Sequence, residues 1–216
     1  MTGQAQSHGS HQTALRLLFE AIAAHAASEA SRLLAETPTL ASLALEDGAA
    51  RNDASRNYLA AIEHYVYAGD TALHLAAAAY EPSIVDDLLA RGASVSARNR
   101  RGAQPLHYAA DGIPGSPSWN PEAQFATVER LLQAGADPNA LDDSGVAPLH
   151  RAVRTRCASA VRALLANGAD AQLKNKRGTP PMELASKTTG RGGSGSALAR
   201  EQQTQIIELL SHEERK

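Results

Sequence analysis

One phrase is written four times along this chain. "GDTALHLAA" opens at Gly69, "GAQPLHYAA" at Gly102, "GVAPLHRAV" at Gly145 and "GTPPMELAS" at Gly178. The opening glycines are spaced by 33, 43 and 33 residues. Self-similarity at such a period describes stacked supersecondary units rather than one globule closed around a single core. A second landmark keeps the same register. Each phrase is followed by paired leucines and a glycine turn, in "LLARGASVSARN" from Leu88, "LLQAGADPNALD" from Leu131 and "LLANGADAQLKN" from Leu164.

Within a unit the local signals read helix, turn, helix, turn. Pro148 suits the first position of a helix, where its missing N–H is not needed. Leu149, Ala152 and Val153 recur at i, i+3 and i+4, which makes one apolar face. A second helix carries Val161, Leu164 and Leu165, and Gly168 ends it as a left-handed residue. "Asn-Gly-Ala-Asp" and "Asp-Asp-Ser-Gly" supply hairpin turns to the next unit.

On these residues the chain resembles the ankyrin repeat family. The phrase carrying the resemblance stands at Thr71–Ala76, Gln104–Ala109 and Ala147–Ala152, together with "LLQAGADPN" at Leu131–Asn139, and the likeness covers about residues 69–210. The resemblance implies an all-α fold with short β-hairpin turns, an α-solenoid of about five helix-turn-helix units. The fourth copy has Glu183 where the others have histidine, as suits a terminal unit whose outer face meets water. "LFEAIAAHAASEASRLL" from Leu18 fits the same template as an N-terminal cap. The expected divisions are a flexible tail (1–12), the cap (13–38), an insertion (39–68), repeats at 69–101, 102–144 and 145–177, and a C-terminal cap (178–216).

His74, His107 and His150 recur once per unit and invite a reading as metal ligands or bases. Stacked units sit about 10 Å apart. Ligands of one zinc lie near 2.0–2.1 Å from it, so neighbouring histidines are too far apart to share a metal. They are expected instead to bond backbone groups at helix starts and lock unit to unit, with Thr71 beside His74. No cofactor or metal is expected.

Three insertions break the period. Twenty-two extra residues precede the first full repeat, ten lie near "GIPGSPSWNP" (112–121) and twelve near "TTGRGGSGSALA" (188–199). In the first, Tyr58, Leu59, Ile62, Tyr65 and Val66 share one face of an expected short amphipathic helix. That helix either packs on the cap or forms one wall of the groove. The other two read as loops. "GRGGSGS" lacks the Gly-Lys-Ser/Thr and preceding strand of a phosphate cradle. Trp119, the only tryptophan, either anchors its loop or stands as an exposed contact.

Composition narrows the function. The net charge of −2 divides into −7 over residues 1–90 (4 Lys+Arg, 11 Asp+Glu) and +5 over 91–216 (17 and 12). The acidic total and 4% aromatic content argue against nucleic acid, although the basic half keeps a nucleic-acid or phosphate ligand as the alternative. No apolar run reaches the roughly 20 residues of a membrane span. The single cysteine, Cys157, excludes an internal disulfide. With a polar N-terminus these features lead to an expected cytoplasmic monomer. No catalytic set emerges: Cys157 fits a structural place between helices despite Arg156 beside it, and Asp142–Asp143 fall in a hairpin turn. The expectation is a non-catalytic protein-binding module. The resemblance places its contacts on the hairpin tips and inner helices, at Tyr67, Arg100, Arg101, Arg154, Lys176, Arg177 and Lys187, for a partner segment of acidic or mixed charge.

Overall fold

The computed structural model describes residues 2–50, 55–187, 196–213 and 215, with side chains from residue 9 onward. Ten α-helices among them form five antiparallel pairs: α1 (Thr2–Ala23) with α2 (Ala27–Glu36), α3 (Ala72–Ala78) with α4 (Pro82–Ala90), α5 (Pro105–Ala109) with α6 (Pro121–Gln133), α7 (Pro148–Thr155) with α8 (Ala158–Ala166), and α9 (Pro181–Ser186) with α10 (Ala197–Glu213). The first helix of each pair packs on the first helix of the next, and the second on the second. The principal helix contacts therefore run between neighbouring units, as in a solenoid.

The sequence explains the helix limits. Proline stands at the start of α4, α5, α6, α7 and α9, where it leaves no helical hydrogen bond unmade. The inner helices α3 and α5 are buried at every position. Small residues such as Ala76, Ala109 and Ala152, all fully buried, let these short helices approach closely. Leu73, Leu106 and Leu149 interleave with Leu88, Leu131 and Leu164 in one continuous core. The four opening glycines all have φ between 67° and 85°, a left-handed turn that a side chain would strain.

Histidine joins the layers. The Nδ1 of His74 accepts the Thr71 N–H (3.1 Å) and its Nε2 lies 3.1 Å from the Ala103 carbonyl of the next unit. His107 repeats this with Gln104 N–H (3.2 Å) and Val146 carbonyl (3.0 Å). His150 does so with Ala147 N–H and Thr179 carbonyl, both at 3.3 Å. An Nδ1 that accepts from backbone must be unprotonated, so Nε2 carries the hydrogen and donates it across the unit boundary. Asn99, Asp142 and Asn175 form a second register. Each accepts two backbone N–H groups of its own hairpin turn.

Two expectations change. The N-terminal segment expected as a tail through residue 12 lies within a helix, because α1 begins at Thr2. Gln12 ties it to the insertion, donating to the Ala44 carbonyl and accepting from Glu46 N–H, each at 3.1 Å. The amphipathic helix of the first insertion is a β-hairpin. Strands β1 (Tyr58–Leu59) and β2 (His64–Tyr65) pair Tyr58 with Tyr65 and Leu59 with His64, around a 3₁₀ turn at Ala60–Ile62. Glu63, at φ 51°, is left-handed and ends any helix there. A helix this short is also marginal alone, whereas the Tyr58–Tyr65 ring pair, 4.7 Å apart, favours cross-strand pairing. The third insertion falls largely on residues 188–195, outside the described residues.

Burial pushes the pKa of His107 from 6.5 to about 4, and lowers those of His74 and His150 in the same way. Between pH 6.5 and 4 the unfolded chain therefore binds more protons than the folded one. The stability contributed by neutral His107 is complete above pH 6.5 and is lost as pH falls toward 4. His107→Ala leaves the Gln104 N–H buried and unpaired and removes one of the two donors on the Val146 carbonyl, which the Asp142 N–H still bonds, and should cost about 1–3 kcal/mol in urea unfolding at pH 7. That deficit should shrink at pH 4.5. A deficit that stays constant with pH would show that His107 folds in its charged form.

Candidate binding cleft

The concave side of the array is lined by the inner helices and edged by the hairpin turns. The two described insertions meet across it. The tip of the β1–β2 hairpin is Glu63, whose carboxylate accepts hydrogen bonds from Ser116 and from Ser118 (3.0 Å) in the loop between α5 and α6. His64 lies on the ring of Tyr108 from α5, with centroids 4.4 Å apart. The hairpin thus stands over the middle of the trough, and a cleft of about 730 Å³ opens beside it. Its walls are the hairpin (Ile62–Tyr65), the rim (Tyr67, Arg101, Ser144), the α5–α6 loop (Asp111–Ile113, Ser118, Trp119) and α7 (Arg151, Arg154, Thr155).

The floor is a buried polar network. Asp70, fully buried, accepts from Tyr67 N–H (2.6 Å), Asn99 Nδ2 (2.8 Å) and Tyr108 Oη (2.9 Å). A buried carboxylate is tolerated because these three groups donate to it. Burial and the Asp70 charge push the Tyr108 hydroxyl well above its usual pKa, so it remains a donor. Beside it, Arg151 Nη2 bonds Asp142 Oδ2 at 2.9 Å and its Nη1 lies 4.0 Å from Asp111. Burial raises the Asp142 pKa, but the Arg151 bond and the Val146 and Ser144 N–H groups outweigh it and hold the carboxyl below its ordinary value. His64 is driven down to about 4 by burial, and its Nε2 is buried without a hydrogen-bond partner.

The loop wall is held from below by Gln124, which is completely buried. Its Nε2 donates to the carbonyls of Ala109 (3.0 Å) and Asp111 (3.2 Å), while its Oε1 accepts from Trp119 Nε1 (3.1 Å) and Ser159 Oγ (2.9 Å). Trp119 therefore anchors its loop and also faces the cleft. Gly112 permits this packing, since a Cβ there would come within 2.6 Å of Tyr80 Oη and 2.9 Å of Cys157 Sγ. Cys157 is buried, which pushes its thiol up to about 12. A neutral thiol of this kind is a poor nucleophile despite Arg156 beside it.

The expected contact residues divide into two groups. Tyr67 makes cation–π contacts with Arg100 and Arg101, whose guanidinium carbons lie 5.4 and 5.0 Å from its ring centroid. Arg100 also donates to the Ala49 carbonyl and so clamps the insertion to the array. Arg101 Nη1 donates to Tyr67 Oη at 3.0 Å. Tyr67, Arg101 and Arg154 share the cleft, whereas Lys176, Arg177 and Lys187 stand outside it. Lys176 reaches the Asp143 carbonyl, and Lys187 pairs with Glu183 at 2.8 Å. Tyr108 and Arg151 were missed by the sequence reading, although a signal existed. They occupy the variable place after histidine in the repeated phrase, as Leu75 does in the first copy. Among the described residues no group of three or more His, Cys, Asp or Glu side chains could hold a metal, and no helix is long and apolar enough to cross a membrane.

Known proteins match this region. A family model described as ankyrin repeat covers residues 68–100 and 101–143, and another, ankyrin repeats (many copies), covers 131–185. Ankyrin repeat and SOCS box protein 16 of Mus musculus is 36% identical over 115 residues, which is 53% of this chain and 25% of that protein. Neurogenic locus notch homolog protein 1 of Danio rerio is 32% identical over 140 residues, 54% of this chain and 6% of that protein. E3 ubiquitin-protein ligase KEG of Arabidopsis thaliana is 38% identical over 100 residues, 46% and 6% respectively. This chain thus spans a quarter or less of the length of these relatives.

Gln124→Ala should cost about 2–4 kcal/mol, because it orphans several buried groups at once, and should shift Trp119 emission to the red. Glu63→Ala removes an exposed acceptor and should cost no more than about 1 kcal/mol. Equal effects in chemical denaturation would show that Gln124 does not hold the loop.

Proposed function

This chain belongs to the ankyrin repeat family, and from that premise we propose that it is a protein-interaction module without chemistry of its own. It holds a partner segment of acidic or mixed charge on its concave side. Proteins as different by name as a ubiquitin ligase, a notch homolog and a SOCS box protein share the repeat array with it, which supports a role in binding rather than in one reaction. Fold alone does not assign function, so the reading rests on the site.

The observation that carries it is how charge is used along the rim and cleft. The carboxylates of the cleft already have partners: Glu63 has two serine hydroxyls, and Asp142 and Asp111 have Arg151. Arg101 has a tyrosine rather than a carboxylate against it, and Arg101, Arg154 and Arg177 are exposed. Cations placed in this way attract acidic segments and govern association rate and specificity more than raw affinity. Tyr67, held by contacts with two arginines, supplies an amphipathic contact surface at low entropic cost. The alternative of a phosphate-rich ligand on the C-terminal half has less support, since Lys187 is paired with Glu183 and Lys176 is turned to a carbonyl.

Reversing Arg101 and Arg177 to glutamate should weaken capture of partner from host lysate while moving the melting temperature little, because exposed charges contribute about 1 kcal/mol or less to stability. Undiminished capture by the double variant, with capture lost on changing Tyr65 or Trp119, would place the interface on the inserted segments instead.

A further inference from the structure

A repeat trough with no insertions is open at both edges and along its length. Here it is not. The β1–β2 hairpin stands on Tyr108 through His64, 4.4 Å between ring centroids, and Glu63 fastens it to Ser116 and Ser118 from the opposite edge. A segment lying along the trough from the third and fourth repeats runs into this hairpin. It meets Trp119 and Ile113 on one side and Tyr67 and Arg101 on the other. A volume of about 730 Å³ lies within the range of roughly 300–1,000 Å³ that holds small ligands. It is too small for a helix about 10–12 Å across to enter end-on with its side chains, but large enough for the last residues of an extended chain.

The chemistry of the lining defines what would end there. Three carboxylates of the cleft are already hydrogen-bonded, Asp70 by three donors, Asp142 by Arg151 and two N–H groups, and Glu63 by two hydroxyls, and the fourth, Asp111, faces Arg151 at 4.0 Å. Donors remain. Arg101 carries five N–H groups, and among the described residues its side chain bonds the Tyr67 hydroxyl and makes no ion pair. Two large apolar side chains of the same cleft, Tyr65 and Ile113, are 41% and 44% exposed, and Trp119 lies beside them. A guanidinium binds a planar carboxylate in fork geometry, and exposed apolar walls want an apolar neighbour.

We propose that this cleft is a pocket for a chain end: the C-terminal carboxylate of a partner, bound at Arg101, with an apolar or aromatic last side chain between Tyr65, Ile113 and Trp119. The proposal rests on the interaction function for the source of its ligand, and adds that the partner is read at its terminus. An internal acidic loop would have to double back against the hairpin to present the same groups.

The test uses the full chain and defined probes. An array of random octapeptides is synthesised twice, once with free C-terminal carboxylates and once as carboxamides, and retained sequences are titrated while following emission of Trp119, the only tryptophan. N-acetyl-phenylalanine serves as a free aromatic acid. Retention of acids ending in apolar or aromatic residues is expected, with a saturable change in Trp119 emission. The amides should bind about tenfold more weakly or worse, the change expected for losing a charge-assisted bond. Arg101→Gln and Ile113→Asp should lower affinity similarly, and Arg130→Gln, on the outer helix α6 and away from both cleft and rim, should leave it within about twofold. Thermal melts of both cleft variants check that they fold. Retention of no peptide, equal retention of acids and amides, binding indifferent to Ile113→Asp, or binding of N-acetyl-phenylalanine alone would each overturn the proposal. If the array fails while partner capture still depends on Arg101 and Arg177, the pocket is wrong and the groove stands. If acids bind but capture ignores those arginines, the pocket stands and the rim reading is wrong.

Discussion

The structure depends on an imidazole used at both of its nitrogens. In three successive repeats Nδ1 accepts an N–H at the start of its own inner helix, and Nε2 donates to a carbonyl of the next unit. Each Nδ1 satisfies an N–H at the helix start that burial would otherwise leave unpaired, and each Nε2 adds a second donor to a carbonyl that already accepts from its own hairpin turn. Only the neutral ring can do both, and burial keeps it neutral by lowering the pKa. The recurring histidine is therefore a connector, and its chemistry is suppressed so that the geometry holds. In the fourth unit Glu183 stands in this place.

On that rigid ladder the concave face is built from residues the ladder leaves variable. Tyr108 and Arg151 follow their histidines and project where Asp70, Asn99, Asp142 and Asp111 can meet them. The insertions then use this floor. His64 rests on Tyr108, and Gln124 ties Trp119 to the ends of the inner and outer helices. Long insertions are tolerated because closure entropy rises slowly with loop length. Their cost falls on particular groups, such as the left-handed Glu63 and the unpaired His64 Nε2. A repeat trough that would suit many partners becomes a walled cleft of one shape.

The array was legible because its signals are local and periodic. Glycine, proline, leucine and histidine recur at fixed offsets, and each offset has one physical use. The first insertion was not legible as a hairpin. Ile62 and Val66 are buried, as an i, i+4 face requires, but the same two residues also point inward from a short hairpin. Exposed Tyr58 and Tyr65 separate the two readings, and nothing in the local sequence does so. The bond from Ser118 to Glu63 spans 55 residues, and no local pattern announces such a contact. Arg100 was placed on the partner face by its position beside the opening glycine, yet its side chain turns to Ala49. Position in a repeat fixes where a backbone lies; the neighbours supplied by an insertion fix where a long side chain goes.

The central claim is that inserted segments close the concave face over helices set by the histidine ladder. It is tested most directly at the contact between His64 and Tyr108, whose ring centroids lie 4.4 Å apart. Nuclear Overhauser spectra of the full chain, with selectively labelled histidine and tyrosine, measure that approach in solution. The account predicts strong ring-to-ring cross-peaks for this pair and a His64 ring that stays neutral through pH 6.5, because burial holds its pKa near 4. Absent cross-peaks, with His64 titrating near 6.5 as a solvent-exposed histidine does, would mean that the hairpin stands away from the trough and that the cleft does not exist as described.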